Sequence, residues 1–218
     1  MPDHALLFSP PCGLTAMGRI MSQIRVNNIL SVYRKAKPEE IRQGRRWYYV
    51  ANNAAGVLAI DYGISVGRTS AIIACLSPGL KWERNIEVAR RVLADESLDG
   101  LGVRWYNGVR KAKRIIRGHN PDYVIKGNKV KAFRDCILHP DNAMSVCIDG
   151  HAYSMWVGKR IPLASARISK RLYQTISADY VAAAKVVGLG PMQLQAITWL
   201  TWRRLHQVSP ADKIGKKG

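Results

Sequence analysis

The chain has 218 residues, 47% of them apolar, enough to bury a core, so disorder is not its default state. Lys and Arg number 34 against 15 Asp and Glu, a formal net charge of +19. That imbalance asks for a polyanionic partner, and nucleic acid fits because each neutralised phosphate releases condensed counterions. A membrane surface is the rival, but the basic residues lie among Trp and Tyr on several segments rather than on one amphipathic surface helix. No run reaches the roughly 18 to 20 apolar residues of a span. The longest early apolar run, Ala5 to Phe8, is followed by Pro10 and Pro11, which is not a secretory pattern. A cytoplasmic protein with no membrane partner is expected, in the host cytoplasm if a phage encodes it.

In chain order, residues 1–20 read as a flexible tail, 21–208 as one helical domain of two lobes, and 209–218 as a basic tail. From Arg19 to Ala36, Ile20, Ile24, Asn27, Ile29, Leu30 and Tyr33 recur at helical spacing. Pro38 with Glu39 and Glu40 opens a second helix, where acids suit the positive dipole end. A third runs from about Arg68 to Leu76 and stops at Ser77, Pro78 and Gly79. Trp82, Ile86, Ala89 and Leu93 mark the inward stripe of a fourth. The next, about Arg104 to Arg117, carries Trp105, Val109, Ala112 and Ile116 on one face, and Arg110, Lys113, Arg114 and Arg117 on the other. Later, Leu172, Ile176, Tyr180, Ala183 and Val187 mark a long helix ended by Gly188 and Gly190. Pro191 opens the last one, whose Trp199 and Trp202 read as core. With few alternating patterns, the fold class is all-α.

Charge is concentrated in the middle. Between Val103 and Arg134 there are ten basic residues and one acid, Asp122. Solvated helix faces normally carry both signs, so this run reads as a backbone-binding surface rather than as ordinary surface. Cys12, Cys75, Cys136 and Cys147 form no C-x-x-C pair or zinc spacing, and Asp135, Asp141 and Asp149 are scattered. Reduced thiols are expected, with no metal and no cofactor.

The segment most loaded with chemistry is K-G-N-K-V-K-A-F-R-D-C-I-L, Lys126 to Leu138, followed by V-C-I-D-G-H-A-Y-S-M-W, Val146 to Trp156. A turn at Gly127 and Asn128 lets a phosphate approach the backbone without a Cβ in the way, with Lys126 and Lys131 adding charge. Lys129, in the first turn of a helix, would feel the positive dipole end and partial burial, both favouring the free amine of a nucleophile. Asp149 is read either as a charge stabiliser or as an ordinary helix N-cap.

These segments resemble the helix-hairpin-helix DNA glycosylase superfamily, which includes endonuclease III and the 8-oxoguanine glycosylases. There a glycine hairpin leads into a helix, with a lysine in the bifunctional members and a hydrophobic-Asp-x-His about twenty residues on. Lys129 and Asp149 match those positions, and His151 falls in the supporting place. L-S-P-G-L-K-W-E-R-N-I-E-V-A, Leu76 to Ala89, is similar to an early helix of the superfamily, bringing in Trp82 and Asn85. The ending L-Q-A-I-T-W-L-T-W-R-R, Leu194 to Arg204, suggests kinship with uncharacterised bacteriophage proteins.

The resemblance implies a two-lobed helical bundle that binds DNA as a monomer and cleaves the N-glycosidic bond of a damaged or modified base. Lys129 would act as amine nucleophile, with or without a lyase step, and Asp149 would stabilise developing charge. The sequence departs from the family pattern in three places. Ile125 replaces the first hairpin glycine, the four-cysteine cluster of some relatives is absent, and no glutamine wedge lies near Pro78 to Lys81. A base-modifying transferase on the same scaffold and a non-enzymatic DNA or RNA binder are the alternatives.

Overall fold

The computed structural model describes residues 16–99, 106–141 and 144–208. These contain α1 (Ala16–Tyr33), α2 (Pro38–Asp61), α3 (Val66–Leu76), α4 (Trp82–Leu93) and α5 (Tyr106–Ile116). They continue with α6 (Pro121–Val124), α7 (Asn128–Leu138), α8 (Gly150–Val157), α9 (Lys170–Val186) and α10 (Pro191–Leu205). A 3-10 turn lies at Leu163–Ser165, and no strand occurs among the described residues. The protein is all-α. Arg104, Trp105, the basic tail 209–218 and most of the expected N-terminal tail lie outside the described residues. The tail itself needs correction, because α1 already begins at Ala16.

The described residues divide into two compact units, 16–47 with 144–208 (unit 1) and 48–99 with 106–141 (unit 2). Helix α2 contributes 38–47 to the first and 48–61 to the second.

Unit 2 is organised around α3, whose residues from Thr69 to Leu76 are all buried. Helices α4, α5 and α7 pack against it. Full burial of Ile72, Ile73 and Leu76 contributes about 1.5–3 kcal/mol each. A helix enclosed this way must find protein partners for its end groups, since water cannot reach them. Ser65 accepts from the Arg68 amide at its start. At the other end, Ser77 Oγ donates to the Ala74 carbonyl (3.0 Å) and Asn85 Nδ2 to the Ile73 carbonyl (3.1 Å). Gly108 lets the α5 backbone come so close that a Cβ there would sit 2.7 Å from the Cys75 carbonyl oxygen. Across α2, Thr69 Oγ1 donates to the Ala55 carbonyl (2.8 Å) and Asn52 Nδ2 to the Ile137 carbonyl at the end of α7 (2.9 Å). Cys75, Cys136 and Cys147 are buried free thiols, and burial pushes the Cys75 thiol up to about 11.

Two inward stripes differ from those read in the sequence. In α4 the buried residues are Asn85, Val88, Ala89 and Val92, while Trp82, Ile86 and Leu93 are half-buried. In α5 the fully buried residues are Ala112 and Ile115 rather than Ile116. The α4 set recurs at three and four residues and the α5 pair lies three apart, so helical spacing holds while the face has rotated.

In unit 1, α1 packs on α8, α9 and α10. Its inward residues are Val26, Ile29, Leu30 and Val32, and Ile20 and Ile24, expected on that face, are exposed. They meet Ile148, Ala152, Met155, Ile176, Tyr180, Leu194 and Trp202 in one apolar cluster. Trp202 is core as expected, whereas Trp199 is half-buried beneath the Arg203 guanidinium, 4.4 Å from its ring centre. Glu40, in the first turn of α2, accepts from the Lys37 amide (2.8 Å) and from Arg204 Nε (2.6 Å). The Arg204 guanidinium holds its carboxyl below the ordinary value.

Asp179, buried on α9, accepts from Ser22 Oγ of α1 and from Trp156 Nε1 of α8 (2.7 Å). Burial raises its pKa above the ordinary 3.8, opposed by those two hydrogen bonds and by the charge of Arg25. A carboxyl with a raised folded pKa binds its proton more tightly in the folded chain, so its contribution to stability falls as pH climbs from the unfolded value through the folded one. Glu40 has the opposite sign but is common to parent and variant. Asp179→Asn should therefore gain stability relative to the parent as pH rises from about 3.5 to about 7 in urea unfolding. A difference that is flat or shrinks over that range would contradict this placement of Asp179.

Candidate functional site

Helix α5 is amphipathic in the plainest physical sense. Ala112 and Ile115 are fully buried, and α5 packs on α3. The opposite face carries Arg110, Lys113, Arg114 and Arg117, spaced so that they share one side. Arg110, Arg114 and Arg117 are exposed. Lys113 Nζ lies 2.8 Å from Asp95 Oδ1 and holds that carboxyl below its ordinary value, so one unit of this face is already balanced. Arg110 Nη2 donates to Asn107 Oδ1 (3.1 Å). Arg114 and Arg117 have no ion pair among the described residues.

The turn before α7 is built from below. Asn120 caps α6 by accepting from the Asp122 amide (2.9 Å), and Pro121 fits the first helical turn. Val124 and Ile125 are buried, 3% and 1% exposed, and act as the apolar anchor of the turn. The residue that replaces the first glycine of the hairpin pattern thus serves a packing role. Lys126 and Gly127 then emerge into solvent and α7 begins at Asn128. Gly127 has φ −80°, open to any residue, and a Cβ there would meet nothing within 4 Å. The fold does not require a glycine there, and the surface outside it is open. Gly127 offers no side chain to cap the first turn of α7.

Lys129 is the second residue of α7, as expected, but it is exposed, so its expected partial burial is corrected. The packed part of α7 starts a turn later, at Ala132, Cys136 and Ile137. Lys131 is half-buried. Arg134 is not part of the open charge: its side chain is 15% exposed and pairs with Asp122 (2.7 Å) and Asp135 (3.0 Å). That clamp ties α6 to α7 and holds the turn in place. Tyr123, 73% exposed just before the anchor, was not singled out by the sequence. Helical periodicity does not show which residue of a one-turn helix faces solvent.

The remaining expected residues separate from this surface. Trp82 opens α4 half-buried, and Asn85 lies inside unit 2, donating to the α3 carbonyl described above. Asn85 is an interior strut, because the inward stripe of α4 runs through it. Asp149 and His151 belong to unit 1, whereas Lys129 belongs to unit 2. Asp149 is the N-cap of α8, its Oδ1 accepting from the amides of His151 and Ala152, each at 2.9 Å. This is the capping role weighed in the sequence, and it accounts for an aspartate locally. His151 is buried.

Among the described residues, no group of three His, Cys, Asp or Glu side chains could hold a metal ion. No single helix among them is long and apolar enough to cross a membrane. The bent pair α2 and α3 passes by composition, but most of α3 is buried in the core of unit 2.

A family model described as a family of unknown function, DUF7178, matches residues 15–206. No curated protein and no solved structure matches the chain.

Proposed function

We propose that this chain, which belongs to DUF7178, binds the phosphate backbone of DNA through unit 2, using the outer face of α5 and the turn that leads into α7. The observation that carries the reading is the exposure of Arg114, Arg117 and Lys126 on elements whose other sides are anchored in the core. Side chains held this way present charge on a rigid support, so less ordering is required when a polyanion docks. Open space over Gly127 lets a phosphate reach the first amides of α7, where the helix dipole adds attraction. Lys126, Lys129 and Lys131 supply the neighbouring charge. Tyr123 offers an exposed ring close by in the chain for an unpaired base. The bland alternative is a solvated basic face. It is disfavoured because concentrating like charge on one face destabilises a fold unless a partner offsets it.

The test is a salt titration on a labelled duplex. With about five phosphate contacts, log K should fall against log salt with a slope near −4.5. Arg114→Glu with Arg117→Glu should weaken binding at least about tenfold and make the slope shallower by about two. A slope unchanged by the double variant would overturn the reading, and tighter binding to RNA of the same sequence would move the partner to RNA.

The helix-hairpin-helix resemblance supports a second reading, cleavage of an N-glycosidic bond by the Lys129 amine. One structural observation favours it, and it concerns access alone: Lys129 is solvent-exposed two residues past Gly127, where a Cβ would meet nothing within 4 Å, so a strand can approach its amine. Incubation with duplexes carrying damaged or modified bases, followed by borohydride, should then trap a covalent adduct that Lys129→Ala abolishes. Absence of both adduct and abasic product across the panel would leave a binder without this chemistry.

A further inference from the structure

On one side of α2, a run of side chains of unit 2 stands in solvent: Val50 (53% exposed), Asn53, Val57 (47%) and Ile60 (84%), with Tyr49 exposed beside them. Steps of three and four residues keep them on one face of the helix, and the opposite face, Ala51, Ala55, Leu58 and Ala59, is buried. A single exposed apolar residue needs no explanation, but a contiguous stripe of them does. We propose that this stripe is where a second copy of the chain docks, the two α2 helices meeting antiparallel about a two-fold axis at Asn53.

Charge narrows the choice of occupant. No charged residue lies from Tyr48 to Ile60, in a chain whose net charge is +19. A nucleic acid or an acidic protein finds no cation on the stripe to hold it. The charges printed at its edges are not an excess of positive ones. Asp61 lies 3.9 Å from Arg90, and the exposed Asp141 carboxylate accepts from the Tyr49 hydroxyl (2.8 Å). Two basic chains can therefore approach through this stripe without the repulsion that two outer faces of α5 would meet.

The pattern is also complementary to itself. In an antiparallel pair centred on Asn53, Val50 faces Gly56 of the other copy and Val57 faces its Tyr49, and the two-fold axis makes each contact occur twice. Asn53 meets its own counterpart, and its amide, holding both a donor and an acceptor, can bond to it reciprocally. One asparagine among apolar contacts is a device that fixes register in helix pairs. Gly56 supplies an observation of a different kind. It lies in the interior of a 24-residue helix, where glycine weakens the helix, yet its φ is negative and a Cβ there would meet nothing within 4 Å. The fold of a single chain does not need a glycine at this position. A second helix does, because the missing side chain leaves a notch that admits Val50 of the other copy. From Tyr49 to Ile60 the stripe is about 17 Å long and about one helix diameter, roughly 10 Å, across. That is well short of the roughly 800 Å² per partner of a stable interface, so the pair is a weak one.

The test is sedimentation equilibrium of the full-length protein, freed of nucleic acid, from about 5 to about 500 µM in about 0.3 M salt, which screens its net charge. The average mass should rise from one chain toward two, with a dissociation constant on the order of 10–200 µM. Asn53→Asp should weaken that association at least about tenfold, because the axis sets each new charge against its own copy. Gly56→Gln should weaken it as much by filling the notch, while its thermal unfolding temperature stays equal to or above that of the parent. A mass of one chain throughout, or association undiminished in either variant, would overturn the proposal. Capture of the parent by phosphatidylcholine vesicles, lost in Ile60→Glu, would overturn it as well and assign the stripe to a lipid surface.

Discussion

Enclosure of α3 is the constraint on which unit 2 depends. Eight consecutive residues, Thr69 to Leu76, are buried, so every neighbouring helix must turn an apolar side toward them. For α5 that side is Ala112 and Ile115, and the same rotation sends Arg114 and Arg117 outward. For α7 it is Ala132, Cys136 and Ile137, which leaves the helix start and Lys129 beyond the packed region. The outward charge therefore follows from the demands of the core. Close contact of α5 with the end of α3 is possible only because Gly108 has no Cβ, so a residue that weakens a helix in isolation here permits the packing that orients its cations.

Acids are spent with economy. Asp122 and Asp135 are committed to Arg134, Asp95 to Lys113, and Glu40 to Arg204. Each of these contacts fixes an element's position, yet these four acids offset few of the 34 Lys and Arg, and with all 15 acids counted the net charge is still +19. The excess stands exposed on the outer face of α5, at Arg114 and Arg117, and at the turn before α7, at Lys126. The consequence of these pairs for binding is which cations they leave open.

Much of the architecture was legible in the sequence. Pro38 with Glu39 and Glu40, the Ser77-Pro78-Gly79 stop, and Pro191 all fall at helix boundaries, because caps and breakers act locally. The rotation of the α4 and α5 stripes by one position was not legible. Asn85 counts as polar in any hydrophobic pattern, and its inward place goes with its donation to the Ile73 carbonyl. Ile20 and Ile24 read as core by type and stand exposed, since what packs against a face is not written on that face. Of the site residues, Arg110, Arg114 and Arg117 could be read as the outward face of α5 from its two-sided composition, though not which residues pack inward. Lys129 was placed correctly at a helix start, but its solvent exposure depends on where α7 begins to pack.

The central claim is that unit 2 meets a nucleic-acid backbone with α5 and the turn into α7. Hydrogen exchange of the full-length protein, free and saturated with a short DNA duplex, tests it most directly. The account predicts slower exchange over 107–117 and 125–131, with little change in the interior residues of α3 and α4. Protection confined to other segments, or none at a DNA concentration that saturates binding, would contradict it.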